Sequence, residues 1–208
     1  QGIINDAQSA TVTLTGSATV SEAVGSTPLT VTLNAGAGNT IEDAASVVVN
    51  LADGSASYAG GTGDYFFNGP NNTATVNFAA GSADGATRTV PVSIREDVLV
   101  EASESFAASL GGSSGAVLAA GPGATLTIED NEAATVSFQA PGSTVGEAST
   151  PHSVNALLTI TAVGSGTASL SVPLTVAVTQ TPGTAATPAD YTLSTPSVSF
   201  AAGSQSAA

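Results

Sequence analysis

Val90-Pro91-Val92-Ser93-Ile94-Arg95-Glu96-Asp97-Val98-Leu99-Val100-Glu101-Ala102-Ser103-Glu104-Ser105-Phe106 runs an alternating apolar strand into a cluster of acids and then resumes the alternation. Side chains two apart on a strand share a face, so Val90, Val92 and Ile94 form a core-facing row. Glu96 continues that row to the rim of the fold, and Glu104 precedes Phe106 in the same phase. The pattern recurs where Val20 leads to Glu22 and Ile128 to Asp130. Acids in such positions need a partner, because burying an unpaired charge is expensive. The chain carries 16 Asp and Glu against 2 basic residues, Arg88 and Arg95, which is too few to pair the cluster. A metal ion is the substitute.

Composition narrows the class. At 208 residues and 42% apolar content the chain can build one or two real cores. Aromatics make up 4%, and the apolar residues are mixed with Thr, Ser and 23 Gly, which favours short β-strands separated by turns. No apolar run reaches the ~18 residues a membrane-spanning helix needs. Because the chain starts at Gln1 and contains no Met, it is expected to be a fragment of a longer polypeptide, and because counterparts of residues 88–130 are missing from its second unit, that polypeptide is expected to continue beyond Ala208. A net charge of −14 argues against nucleic acid and anionic membranes as partners, since both would repel it. The lack of Cys removes disulfides and thiolate sites, and the lack of Lys removes Schiff-base chemistry and lysine cross-links. A stabilising device must use oxygen ligands.

The chain repeats itself. Ile4-Asn5-Asp6 is matched by Ile128-Glu129-Asp130, Val20-Ser21-Glu22 by Val145-Gly146-Glu147, Asp64-Tyr65 by Asp190-Tyr191, and Phe78-Ala79-Ala80-Gly81 by Phe200-Ala201-Ala202-Gly203. The order is preserved. The chain therefore divides into the tail of one unit (1–6), a complete unit (7–132) and the first part of another (133–208), an arrangement typical of an array. Within the complete unit, strands are expected near 10–21 (interrupted at Gly16), 28–33, 45–51, 73–78, 88–95, 104–110 and 123–129. Short strands with this turn punctuation predict an all-β fold of tandem immunoglobulin-like antiparallel β-sandwiches.

That fold turns scattered acids into a site. If successive strands alternate in direction, Glu22, Asp64, Glu96, Asp97, Glu101, Glu104 and Asp130 all fall at one pole. Calcium suits such a cluster, being a hard cation that takes 6–8 oxygens in a tolerant geometry.

Glu96 to Phe106, with the upstream Gly63-Asp64-Tyr65 and Phe78-Ala79-Ala80-Gly81 and the closing Thr127-Ile128-Glu129-Asp130-Asn131, resembles the Calx-β motif, over 7–132 and the first half of the pattern in 133–208. That family is a calcium-binding, immunoglobulin-like sandwich found in sodium–calcium exchangers, an integrin tail and large bacterial surface proteins. The resemblance implies carboxylate ligands at Glu22, Asp64, Glu96, Asp97, Glu101 and Glu104, a main-chain carbonyl ligand at Leu99, and closing-strand acids at Asp130 and Glu132. Two positions depart from it. Val98 and Asn131 stand where members often carry Asp, and fewer charges bind calcium more weakly.

The remaining acids have an ordinary explanation: Glu42, Asp43, Asp53 and Asp84 are expected to be solvated surface charges. Gly60-Gly61-Thr62-Gly63 reads as a flexible loop delivering Asp64. No catalytic role is expected, because no substrate cleft with binding residues of its own is visible. The leading function is a calcium-stiffened structural repeat of a large extracellular or cell-surface protein, such as an adhesin, surface layer or filament. Its partners would be neighbouring repeats of the same polypeptide and, in a filament or surface array, other copies. The alternative is a carbohydrate- or surface-binding module, which would ordinarily cluster Trp or Tyr on an exposed face; here there is no Trp and only 3 scattered Tyr.

Overall fold

Alternation of apolar and polar residues decides which face each strand buries, and cross-strand hydrogen bonds do the rest. The computed structural model describes residues 9–16, 18–67, 72–115, 117–119, 121–148, 151–181 and 183–206. The expected tail of a preceding unit, 1–6, and the terminal Ala208 lie outside the described residues. The strands are β1 (Ala10–Thr15), β2 (Thr19–Ser21), β3 (Ser26–Asn34), β4 (Ala45–Asp53), β5 (Tyr65–Phe66), β6 (Thr73–Phe78), β7 (Thr87–Ile94) and β8 (Leu99–Val100). They continue as β9 (Glu104–Ser114), β10 (Val117–Ala119), β11 (Ala124–Glu129), β12 (Ala133–Phe138), β13 (Ala156–Thr161), β14 (Ser169–Leu170), β15 (Leu174–Ala177) and β16 (Ser197–Phe200). The architecture is all-β, in tandem immunoglobulin-like form. Two compact units result, one drawn from Gln1–Glu96 and Ala102–Glu129, the other from Asp97–Glu101 and Asp130–Ala208.

The first unit is a sandwich of two five-stranded sheets, ordered β10-β1-β3-β7-β5 and β2-β11-β9-β4-β6. Every second residue points inward: Leu29, Val31 and Leu33 of β3 and Val47 and Val49 of β4 are wholly buried, as is Leu126 of β11. Each such side chain contributes about 1.5–3 kcal/mol by leaving water. The stretch read as one strand over 10–21 is in fact two strands in opposite sheets. β1 pairs antiparallel with β3, whereas β2 pairs parallel with β11. Gly16 makes the crossing possible. Its φ of +148° suits glycine, and a Cβ there would lie 2.5 Å from Leu29 Cδ2.

The antiparallel expectation holds for the body of the sandwich but not at its edges, where β1 with β10 and β2 with β11 run parallel. Entering and leaving segments travel in the same direction there. β5 is a further strand that the sequence pattern left inside a loop; it adds to the sheet edge through Tyr65 opposite Ile94 and Phe66 opposite Ser93.

In the second unit β12 pairs with β13 and β15 with β16, both antiparallel. The internal repeat shows in the registers: Leu174 faces Phe200 as Ala45 faces Phe78 in the first unit. Leu158 and Leu170 are buried, while Phe138 remains 57% exposed. β8 pairs parallel with β14. Among the described residues no helix is long and apolar enough to cross a membrane.

Candidate metal site

Burial sorts the acids. Glu22 and Glu132 are buried, and Asp64, Glu96, Asp97, Glu101, Glu104 and Asp130 are half-buried; Glu42, Asp43, Asp53, Asp84, Glu129, Glu147 and Asp190 are exposed. The withdrawn acids sit at or just beyond strand ends, where a core-facing row meets the rim. Glu22 opens a short 3-10 turn after β2, with Ser21 Oγ accepting the Ala23 N–H.

In the first unit, Asp64 and Glu104 each offer a carboxylate oxygen within 4.8 Å of the other. They arrive from different sheets, Asp64 just before β5 and Glu104 at the start of β9. Far from being a flexible loop, the segment ahead of Asp64 is pinned. Asp64 Oδ2 accepts the Ser57 N–H at 2.7 Å, and the Asp64 N–H donates to Ser57 O at 2.9 Å. The close approach requires a glycine beside it, since a Cβ on Gly63 would lie 2.2 Å from Ser57 O. Arg95 holds the loop from the other side. Its Nε donates to Gly63 O at 3.0 Å and its Nη2 to Gly61 O at 2.6 Å, with the guanidinium over the Phe66 ring.

In the second unit, Asp130 and Glu132 also bring oxygens within 4.8 Å of one another. Asp130 is held by main-chain donors from Glu101 and Glu132, and Glu132 Oε1 accepts the Val163 N–H at 3.0 Å. Asp97 Oδ1 accepts the Leu99 N–H at 2.7 Å, closing a tight turn. The carbonyls of Val98 and Val100 both accept N–H groups from the β14 side, from Ser169 and Ser171. Because successive carbonyls of a strand alternate in direction, that of Leu99 points away from β14. Glu147 and Asp190, the repeat counterparts of Glu22 and Asp64, are exposed, and Asp190 Oδ2 accepts the Ala186 N–H within its own turn.

Residues 5–132 and 129–207 match the Calx-beta domain family. The chain belongs to that family. Calx-beta domains are non-catalytic calcium-binding modules, and calcium is the cofactor of this chain. Among solved structures, the Calx-beta pair is similar to the apo-form Calx CBD1 domain, at 24% identity over 59% of this chain and 98% of that one, with a TM-score of 0.49. It is also similar to CBD12 from CALX1.2, at 29% identity over 55% of this chain and 41% of that one, with a TM-score of 0.44. The calcium binding domain CBD12 of CALX1.1 matches at 28% identity over 60% of this chain and 49% of that one, with a TM-score of 0.46. The chain thus spans less than half the length of the two CBD12 structures. No curated protein matches it significantly.

The donor chemistry of this Calx-beta chain fits the ion. Every candidate ligand is a carboxylate or carbonyl oxygen, the set a hard divalent cation prefers, and neither Cys nor a clustered His is there to favour a softer metal. Both arginines donate to main-chain carbonyls, Arg95 as above and Arg88 to Asn77 O and Thr87 O.

Two acids expected to be plain surface charges are structural anchors. Asp53 Oδ1 accepts both the Tyr65 O–H at 2.5 Å and the Tyr58 N–H at 2.8 Å. Asp84 Oδ1 accepts the main-chain N–H groups of Ala35 at 2.9 Å and Gly36 at 3.1 Å. Burial, reinforced by the Asp53 hydrogen bond, raises the Tyr65 hydroxyl well above its ordinary pKa of 10.0, so it is a neutral donor. Asp53 had a readable signal. It stands two residues beyond Leu51 and four beyond Val49, in phase with the buried row of β4.

Proposed function

We propose that this Calx-beta chain is a calcium-stiffened structural repeat of a large extracellular or cell-surface protein, of the adhesin, surface-layer or filament kind. Its ligands are the carboxylates of Glu22, Asp64, Glu96, Asp97, Glu101, Glu104 and Asp130 with the carbonyl of Leu99. The observation that carries this reading is that all seven of these acids are withdrawn from solvent, as is Glu132, while Glu42, Asp43, Asp53, Asp84, Glu129, Glu147 and Asp190 stay exposed. Two carboxylates about 4 Å apart repel by roughly 4 kcal/mol at an effective dielectric near 20, so the metal-free arrangement is under electrostatic load. A divalent cation removes that load and turns it into stiffness.

The extracellular assignment is supported by the tandem repeat, the net charge of −14, the lack of Lys and the richness in Thr, Ser, Gly and Ala. Calcium sites of ordinary affinity fill readily outside cells. The partners are neighbouring repeats of the same polypeptide and, in a filament or surface array, other copies of it.

Calcium titration of the full chain by calorimetry, followed by small-angle scattering with calcium and with chelator, tests the two halves of the proposal. Saturable heat and a narrower spread of particle dimensions with calcium are expected. Absence of binding rules out the site; binding with identical scattering profiles rules out the stiffening role.

A further inference from the structure

The rings of Tyr65 and Phe106 stack with centroids 4.0 Å apart and planes 13° from parallel. Tyr65 lies on β5 and Phe106 on β9, in opposite sheets of the first unit, and both are buried to within 1%. The stack is therefore a tie across the sandwich. Its neighbours are the facing carboxylates: Asp64 directly precedes Tyr65, and Glu104 lies two residues before Phe106 on the same strand. The spacing of the rings and the spacing of the acids are properties of the same two strand ends.

A second contact fixes Tyr65 along the other axis. Its O–H donates to Asp53 Oδ1, the oxygen that also receives the Tyr58 N–H. Tyr58 begins the loop that ends at Asp64, so one carboxylate holds both ends of the segment presenting that ligand. Asn72 Nδ2 reaches the same hydroxyl at 3.5 Å and Leu51 O at 3.1 Å.

We propose that Tyr65 is a positioning residue for calcium: its stack on Phe106 and its hydrogen bond to Asp53 set the separation of Asp64 and Glu104, and so favour calcium over magnesium. This rests on the calcium reading above. Calcium accepts oxygens at about 2.3–2.6 Å in variable number, whereas magnesium demands a contracted octahedron near 2.0–2.1 Å. A pair of acids held apart by a rigid aromatic spacer does not contract to suit the smaller ion. Releasing the spacer weakens calcium binding and lets the pair adapt to magnesium.

The experiment compares the full chain with Tyr65→Phe, which keeps the stack and loses the hydrogen bond, and Tyr65→Leu, which loses both. Val47→Ala serves as a core control at the opposite end of β4 from Asp53. Calcium and magnesium are titrated separately by calorimetry, and metal-free melting is recorded for each protein. Tyr65→Leu is expected to weaken calcium binding about 10-fold or more, as loss of groups that orient metal ligands does, and to narrow the calcium-to-magnesium ratio. Tyr65→Phe should fall between it and the parent. Val47→Ala should lower the metal-free melting temperature while leaving both affinities and their ratio unchanged. If the parent itself binds no calcium, the underlying reading fails. If the parent binds and both Tyr65 variants retain its affinities and ratio, or shift them no more than Val47→Ala does, the positioning role is overturned.

Discussion

The main-chain N–H of Glu101 donates to Oδ2 of Asp130 at 2.7 Å, and the other oxygen of Asp130 receives the Glu132 N–H at 2.9 Å. Both contacts are to an ionised acceptor, the stronger class of hydrogen bond. Asp130 is thus oriented before any ion arrives, and each of its oxygens keeps a lone pair for one.

Asp130→Asn should expose this double role. An amide offers only one acceptor oxygen, so its NH2 must face one of the two N–H donors. The clash and the lost bond should lower metal-free stability by about 1–3 kcal/mol. The variant should also respond less to calcium. Chemical denaturation with and without calcium reads both effects, and equal stability to the parent in chelator would contradict the hydrogen bonding.

Glu104→Gln separates a ligand from an anchor. The parent should gain about 2.7 kcal/mol at free calcium near 100 times its dissociation constant. Glu104→Gln should lose most of that gain, and Glu42→Ala should keep all of it. Asp84→Ala should behave as neither. With its two main-chain partners released, it should be less stable by about 1 kcal/mol both with calcium and with chelator. Paired melting curves in the two conditions distinguish the three patterns.

Gly63→Ala tests the pinned loop. The new methyl would stand 2.2 Å from Ser57 O, so the segment that presents Asp64 must move. Calcium affinity should fall by about 10-fold, the scale seen when a ligand loses its support. Gly142→Ala is the matched control, because a Cβ there meets no atom within 4 Å and, as at Gly63, φ is not in the left-handed region. Calorimetric affinities that fall equally in the two would show that the contact with Ser57 O is not the cause.

Alkaline pH should lower stability through Tyr65. Its folded pKa is raised above the ordinary 10.0, so below pH 10 the hydroxyl is protonated in the folded and the unfolded chain alike and the stability is fully present. As pH rises from there through the raised value, the unfolded chain ionises first and stability declines, by up to about 1.4 kcal/mol per pH unit for one proton. Denaturant midpoints between pH 9 and 11.5 should slope downward in the parent and less steeply in Tyr65→Phe. Parallel slopes would exclude Tyr65 as the titrating group.

The sandwich was legible because strand periodicity is local: each of Leu29, Val31, Leu33 and Val47, Val49, Leu51 announces its own buried face. The phase rule that marked Glu96 and Asp130 also applies to Asp53, yet composition favoured solvation for that acid and hid its bond to Tyr65. What the sequence could not supply was pairing between distant segments. Nothing local in Thr19-Val20-Ser21 tells that it runs parallel to β11 instead of extending β1. β5 was hidden for a different reason: two residues are too short for alternation to register, and its partner Ile94 lies 29 positions on. The loop before Asp64 looked flexible from its glycines, but Arg95 and Ser57, which hold it, contribute no pattern of their own.

The parallel pairing of β2 with β11 has a mechanical consequence. Thr19, Val20 and Ser21 lie beside Thr127, Ile128 and Glu129, the first and last paired segments of the first unit's second sheet. Tension applied between the two ends of that unit pulls these strands past one another along their length. Their hydrogen bonds are then loaded together and yield in one event, rather than opening one after another as at the mouth of a hairpin. A repeat closed this way resists stretching by its topology.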